Sequence, residues 1–364
     1  MNLALLDEYV ERGLLRKAED EDLVQYNYSE MVNNCPNGEL WDEITMFNRG
    51  NIYEKKTGNL IAKAMPKFMN LGQLPEDKQN ELISKNIFNL TEKMDGCLGI
   101  IYKYKGKIRC NSRGGFNNYV TDKIKELLPK YAMKNLLLDN NVLNVEVISP
   151  ETRIICNYGD TQDLYLITAY SSTLNWKEYD YEQLKMIAAI LKMPIVQEEN
   201  MTWEQLLEWQ KTANYEHEGF VIRFPDNERV KIKSEDYLRI AKVRSTLCKH
   251  TIWKLMRNDL KTYNSSNELS EYLGRVPDEF IKTANRYVSE LQNSLKELEQ
   301  QVLIIVEAVK NLSNKELAFW FKDNPNDLQG AVFNYRNGKD INKVLIDMIE
   351  PEGGFEDTVK MLEE

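Results

Sequence analysis

Histidine is nearly missing from this chain. Two in 364 residues, His217 and His250, are too few for a histidine-based metal centre, although His217 stands between Glu216 and Glu218. Cysteine is scarce as well. Cys35, Cys97, Cys110, Cys156 and Cys248 form an odd set without close spacing, which argues against a disulfide framework and against a zinc knuckle. No stretch approaches the roughly 20 consecutive apolar residues of a membrane-spanning helix. Met1–Arg16 lacks a basic start followed by an uninterrupted apolar run, so no signal peptide is expected. Fixed-period repeats and low-complexity segments are absent. Lys55-Lys56-Thr57-Gly58 lacks the glycine-rich start of a P-loop and reads as a hairpin turn. A reducing cytoplasm is the expected location.

What is present is a globular composition, 42% hydrophobic and 29% charged, in a chain long enough for one large domain and a smaller one. The formal net charge of -10 disfavours nonspecific binding to nucleic acid. The average hides an asymmetry: Arg229–Arg257 carries nine Lys or Arg against two acids, Glu235 and Asp236. Such a run is either a solvated face or a basic groove.

Residues 1–245 read as α+β. Short Val-, Ile-, Leu- and Tyr-rich runs bounded by Gly, Asn, Asp or Pro predict strands at Asn51–Tyr53, Gly99–Tyr104, Val142–Ile148, Leu164–Ala169 and Gly219–Phe224. Apolar spacings of three and four predict helices over Tyr119–Tyr131 and Tyr181–Leu191. Lys105-Gly106-Lys107 predicts a hairpin turn. Residues 246–364 change character. Ala284, Val288, Leu291, Leu295, Leu298, Val302, Ile305 and Val309 form one apolar stripe on a long helix. Further helices are expected at Asn314–Lys322 and Asn342–Ile349, making an all-helical second domain.

Four short patterns occur in order. Lys93-Met94-Asp95-Gly96 alone is a common surface turn. Glu146 is embedded in the strand-like Leu143–Ile148, and Glu218 opens the run Gly219-Phe220-Val221-Ile222. Lys231 and Lys233 alternate on one face of a strand, where an anion between them would relieve their repulsion. This order resembles the covalent nucleotidyltransferases: ATP-dependent DNA ligases, RNA ligases and capping enzymes. Upstream, Asn48-Arg49-Gly50 and Pro66-Lys67-Phe68-Met69-Asn70-Leu71 narrow the resemblance to the phage RNA ligase 1 family, typified by tRNA-repair ligases of T-even phages. Tyr26-Asn27-Tyr28, Thr152-Arg153-Ile154 and Ser234 with Tyr237 extend it over roughly residues 20–240.

The resemblance implies an ATP-dependent RNA ligase with an adenylyltransferase domain and a helical, RNA-selecting tail. Lys93 would carry AMP and pass it to an RNA 5′-phosphate, which a 3′-hydroxyl then attacks. Lys231 and Lys233 would hold the α-phosphate, Arg49 and Lys67 the outer phosphates, and Glu218 and Glu146 a Mg²⁺ for which Mn²⁺ can substitute. Gly96 and Gly219 would let backbone approach the nucleotide. A free lysine titrates near pH ~10.4, so the nucleophile needs nearby positive charge or desolvation to become neutral. The implied partners are RNA, single-stranded or a nicked loop such as that of tRNA, and an end-healing kinase or phosphatase. The family also implies a phage source and hence a host cytoplasm.

The chain departs from the family pattern in three places. Arg113, in Ser112-Arg113-Gly114-Gly115, stands where a lysine is common, and keeps the charge while changing its geometry. Cys97 replaces a serine. Glu146 lies between valines, which leaves Tyr165 or Tyr170 as candidates to stack on adenine. Two rivals remain. One is a DNA ligase or capping-type enzyme, which would follow the Lys-x-Lys strand with a small β-barrel. The other is a catalytically inactive RNA-binding relative.

Overall fold

The computed structural model describes residues 2–33, 35, 38–86, 88–133, 138–261, 267–274, 276 and 278–351, without the side chains at 243–246 and 278–280. The chain divides into two compact units, Met1–Leu238 and Arg239–Glu364. The division falls inside the helix Glu235–Thr246.

The first unit contains three antiparallel sheets. One has β1 (Leu15–Glu19), β2 (Leu23–Tyr28), β3 (Arg49–Glu54) and β4 (Leu60–Ala62) in that order. The third comprises β11 (Glu198–Glu199), β5 (Asn89–Lys93), β12 (Gly219–Arg223) and β13 (Arg229–Lys233). Between them in sequence come β6 (Cys97–Tyr104), β7 (Lys107–Ser112), β8 (Asn141–Ile148), β9 (Asp163–Ser171) and β10 (Lys177–Glu178), paired in the order β10-β9-β8-β6-β7.

This second sheet is covered on both faces, which explains the near-continuous apolar character of β8. Leu143, Val145 and Val147 pack with Ile124 and Leu127 of the helix Tyr119–Leu127 and with Leu184, Ile187 and Leu191 of the helix Tyr181–Leu191. On the opposite side Leu98, Ile100, Tyr102 and Val142 pack against Leu23, Ile52 and Ala62 of the first sheet. The third sheet buries Phe220, Ile222, Val230 and Ile232 against Trp203 and Leu206. Strand alternation therefore leaves its other face to Lys93, Val221, Lys231 and Lys233.

Every strand expected from the sequence lies on an observed strand, with Phe224 just past the end of β12. The helix expected over 119–131 instead ends at Leu127 and continues as a 3₁₀ turn, Leu128–Lys130. Pro129 has no N–H to continue the α-helical ladder. The second unit is helical: Lys249–Lys261, Glu268–Leu273, Asp278–Ala308, Asn314–Asp323, Gln329–Arg336 and Asn342–Met348. The long helix buries Ala284, Leu291, Leu295 and Val302 of the expected stripe. Trp253 Nε1 donates to the Ile346 carbonyl at 2.7 Å, tying the first of these helices to the last.

Buried amides strap the sheets to the segment 63–70. Asn144, on β8 at a register shift, accepts from Met65 N at 2.7 Å and donates to Lys63 O at 3.0 Å. Asn51 accepts from Ala64 N at 2.7 Å. Gln25 donates to Gly50 O at 3.1 Å and Ser112 O at 2.8 Å, joining the first two sheets. Asn144→Ala would leave a buried N–H and a buried carbonyl unpaired, and should cost about 2 kcal/mol. Chemical denaturation checks this; an unchanged midpoint would mean that the segment finds other partners.

Candidate active site

Three strands place Lys93, Gly219 and Lys233 side by side. In β5, β12 and β13 the register pairs Lys93 with Gly219 and Gly219 with Lys233. The middle position has to be glycine. Its φ is +153°, and a Cβ there would lie 2.0 Å from Ile232 O and 2.8 Å from Lys233 Cα. Glu218, the residue just before, reaches both lysines. Its Oε2 accepts from Lys93 Nζ at 2.7 Å, and its Oε1 meets Lys233 Nζ at 2.8 Å. The carboxylate is 3% exposed. Burial opposes its charge, yet Lys93 and Lys233 more than offset that and hold its pKa below the usual range.

Lys93 differs from the sequence-based expectation of an amine depressed by nearby cations. Burial does disfavour its charge, but Glu218, Glu146 and Asp95 outweigh burial and raise its pKa. The loop that follows Lys93 is pinned by Asp95. That carboxylate accepts from the backbone N–H groups of Ile155 (2.6 Å) and Cys156 (2.9 Å) and from the Tyr237 hydroxyl (2.6 Å). Ser234 Oγ accepts from Tyr237 N at 3.0 Å, so the residue after Lys233 and the one before Gly96 hold the same tyrosine. Gly96 lets this loop lie against β8, because a Cβ would stand 2.5 Å from Val147 O and 3.0 Å from Glu146 Cγ. Burial, and secondarily the charge of Glu218, push the Glu146 carboxyl up to about 7, against the pull of Lys93.

A second group consists of cations. Among the described residues, none of Arg49, Lys67, Arg113 and Lys231 has an ion-pair partner. Burial first, then Lys67, Lys93, Lys233 and Arg49, pull the Lys231 pKa down to about 6. Burial likewise lowers that of Lys67, helped by Arg49 and Arg113. The ammonium of Lys67 lies 4.8 Å from the Trp41 ring centre and 5.2 Å from that of Tyr28. Arg113 Nη1 donates to the Tyr28 hydroxyl at 2.6 Å. Burial raises the pKa of that phenol, but Arg113, Arg49 and Lys67 more than reverse this. Lys67 N donates to Met46 O at 2.8 Å and Lys231 N to Met69 O at 3.1 Å, which brings the 63–70 segment alongside β13. Basic groups of this density, without carboxylates between them, form a seat for a polyanion, whose charge would restore the proton of Lys231.

One cleft of about 640 Å³ collects these groups: Arg49, Lys67, Lys93, Gly96, Arg113, Glu146, Lys231 and Lys233 all line it. Glu218 lies behind Lys93 and Lys233, and Gly219 in the sheet between them. Met94, Ile154, Ile167 and Val196 supply apolar lining. Tyr165 and Tyr170 are not among the lining residues. Tyr165 packs with Met94, Ile148 and Val196, and Tyr170 is buried under the Lys63 ammonium. Sequence reasoning gave no role to Tyr28, Glu92 or Arg223, all of which line the cleft, and noted Arg229, which also lines it, only as the start of the basic run. The match at Tyr26-Asn27-Tyr28 was a signal for Tyr28; Glu92 and Arg223 had none.

Four of the nine basic residues of the run are in ion pairs. Arg229 meets Glu178, Lys233 meets Glu218, Lys249 meets Glu290, and Arg257 meets Asp347. The side chain of Arg244 lies outside the described residues. A resident metal cage is not assembled either: among the described residues no group of three or more His, Cys, Asp or Glu could hold an ion. Glu146 lines the cleft, whereas both oxygens of Glu218, which lies behind it, are taken by Lys93 and Lys233. No described helix is long and apolar enough to cross a membrane.

A family model described as RNA ligase matches residues 48–238. A Thermovibrio ammonificans protein assigned as an RNA ligase is 30% identical over 206 residues, 52% of each chain. An Autographa californica nuclear polyhedrosis virus protein assigned as a bifunctional polynucleotide kinase/RNA ligase is 28% identical over 220 residues, 54% of this chain and 31% of that one. The chain thus spans about half the length of the first of these curated relatives and less of the second. A solved archaeal ATP-dependent RNA ligase aligns with a TM-score of 0.48 at 14% identity, over 81% of this chain and 80% of the other.

The raised Glu146 pKa carries a testable sign. A carboxyl that binds its proton more tightly in the folded chain stabilises the fold at low pH. That contribution is lost as pH rises from 4.5 to about 7. Glu146→Gln removes the titration. The melting temperature of the variant relative to the unaltered chain should therefore climb between pH ~5 and ~8. A difference that stays flat with pH would contradict the assignment.

Proposed function

The chain belongs to the RNA ligase family, and from that premise we propose that it joins RNA 5′-phosphate and 3′-hydroxyl ends at the expense of ATP, with AMP carried on Lys93. The observation that carries the reading is the row Lys93–Gly219–Lys233, bridged by Glu218 and continued by the basic groups Lys231, Lys67, Arg49 and Arg113, which have no ion-pair partner among the described residues.

The chemistry follows from those positions. Lys93 Nζ, once neutral, attacks the α-phosphorus of ATP, forming the N–P bond as the bond to pyrophosphate breaks. Lys231 and Lys233 stabilise charge on the α-phosphate oxygens, while Arg49, Lys67 and Arg113 hold the outer phosphates in line for departure. A divalent cation such as Mg²⁺ beside Glu218 and Glu146 would supply positive charge that competes for Glu218 and favours the neutral Lys93 amine. The RNA 5′-phosphate oxygen then takes the adenylyl group and frees Lys93. Finally a 3′-hydroxyl attacks that activated phosphate and AMP leaves.

The helical region that follows β13 supports an RNA ligase over the DNA ligase or capping rival, since a β-barrel would require strands. We assign residues 1–245 to adenylyl transfer and 246–364 to RNA selection. The substrate we infer is single-stranded RNA or a nicked loop such as that of tRNA. A kinase or phosphatase activity that prepares the ends fits as partner.

Covalent labelling by α-labelled ATP tests the reading. The unaltered chain should take up acid-labile label, ATP should exceed GTP as donor, and Lys93→Ala should take up none. Label persisting on Lys93→Ala would place the nucleophile elsewhere. Glu218→Ala should slow single-turnover adenylylation by at least about 100-fold, while ATP affinity falls far less; equal losses in both would mean that Glu218 serves binding alone.

A further inference from the structure

The face of the third sheet that carries Lys93, Lys231 and Lys233 does not end at Lys231. One more row along, Arg223 of β12 is paired directly with Arg229 of β13. Alternation puts Arg229 on the same side as Lys231 and Lys233. Both arginines line the cleft. Two guanidinium groups directly across an antiparallel pair repel each other, so this row needs an anion.

Three cations meet one carboxylate at close range, with Asp180 adding a weaker negative field at Arg223. Glu178 of β10, 7% exposed in its side chain, takes both donors of the Arg229 fork and lies 3.7 Å from Arg223 Nη1. Its remaining capacity is used by the Thr168 hydroxyl. Lys63 adds a third positive charge to the same surroundings. Burial lowers its pKa, Glu178 opposes that, and Arg229 lowers it further. Arg223 is steadied from elsewhere, by the Tyr179 carbonyl (2.7 Å) and Asn227 Oδ1 (2.6 Å). These are neutral partners that orient the group without neutralising it. The row therefore keeps a net positive charge on the wall of the cleft. It is separated from Lys233 by four residues of strand, roughly 13 Å.

We propose that Arg223 and Arg229 form a second phosphate seat, distinct from the cations grouped round Lys67, and that it holds a backbone phosphate of the RNA strand whose end lies at Lys93. Glu178 is the internal carboxylate that keeps the two arginines apart from the triphosphate group and presents them to the strand. The inference rests on the ligase reading for the position of the RNA end. The same chemistry could serve a terminal phosphate of ATP, and the experiment separates the two.

Full-length protein is titrated with a short 5′-phosphorylated oligoribonucleotide by fluorescence anisotropy over a series of salt concentrations, and covalent labelling by ATP is measured in parallel. Arg223→Gln should weaken RNA binding about tenfold. It should also reduce the slope of log affinity against log salt by about 0.7, one phosphate contact on a single strand. Its labelling by ATP should stay within about twofold of the unaltered chain. Glu178→Gln frees both guanidinium groups and should bind the oligonucleotide more tightly, a sign that a purely structural ion pair would not give. If Glu178→Gln fails to unfold cooperatively, Arg223→Gln, which keeps the Arg229–Glu178 pair, decides alone. Unchanged RNA affinity and slope in folded Arg223→Gln would overturn the seat. ATP labelling lost while RNA binding holds would assign the pair to the nucleotide and overturn it as well. Unaltered protein that takes no label contradicts the ligase reading instead, and its RNA titration still reads the seat.

Discussion

A buried carboxylate held between two lysines is the constraint on which the rest of this site depends. Glu218 is almost without solvent, and a charge in that position survives only with partners at contact distance. Lys93 and Lys233 provide them at 2.7 and 2.8 Å. That geometry requires β5, β12 and β13 to be in register, and the register in turn requires a residue without a side chain between the lysines. One electrostatic requirement thus sets the strand pairing, the glycine and the position of Lys93. The same bridge favours the protonated form of Lys93, so the proposed chemistry needs Glu218 to find another positive partner. Its place between the amines of Lys93 and Lys233 suits that exchange.

The cations that face the cleft are held by a different kind of interaction. Lys67 lies against the rings of Trp41 and Tyr28, Lys231 lies 5.3 Å from the Phe68 ring centre, and Arg113 rests on the Tyr28 hydroxyl. Aromatic faces attract a cation without cancelling its charge. A carboxylate would hold these groups as firmly and leave nothing for a phosphate. The contrast with Glu218 and Asp347, which neutralise their partners, separates charge retained for a ligand from charge used to join elements; Glu178, one carboxylate against two arginines, lies between the two cases.

Much of this was legible in the sequence because it is local. Period-two and period-three-to-four patterns found the central strands and the long helix, since each buries a face. The order Lys93, Glu146, Glu218, Lys231, Lys233 named its residues through a resemblance to a known family, and they fold into one cleft or directly behind it. What escaped depends on partners far apart in the chain. Tyr237 reaches Asp95 across 142 positions, and Gln25 reaches Ser112 across 87; neither pairing leaves a periodic trace. The charge state of Lys93 escaped for the same reason, as it follows from three carboxylates brought together by folding. The basic run from Arg229 misled in the opposite direction. Its excess charge is real along the chain, but four of its nine basic residues meet acids supplied by Glu178, Glu218, Glu290 and Asp347.

The straps made by Gln25, Asn51 and Asn144 have a consequence for how the molecule meets ionic strength. They are uncharged and buried, so mobile ions barely weaken them, whereas attraction between the cleft and a phosphate is screened within a Debye length of about 8 Å at physiological salt. Frame and function are therefore separated by the kind of force that each uses. In concentrated salt the spacing of Arg49, Lys67 and Arg113 persists while their hold on an anion fades. On the proposed reading, a ligand would leave the site without taking it apart, and dilution would restore binding with nothing to refold.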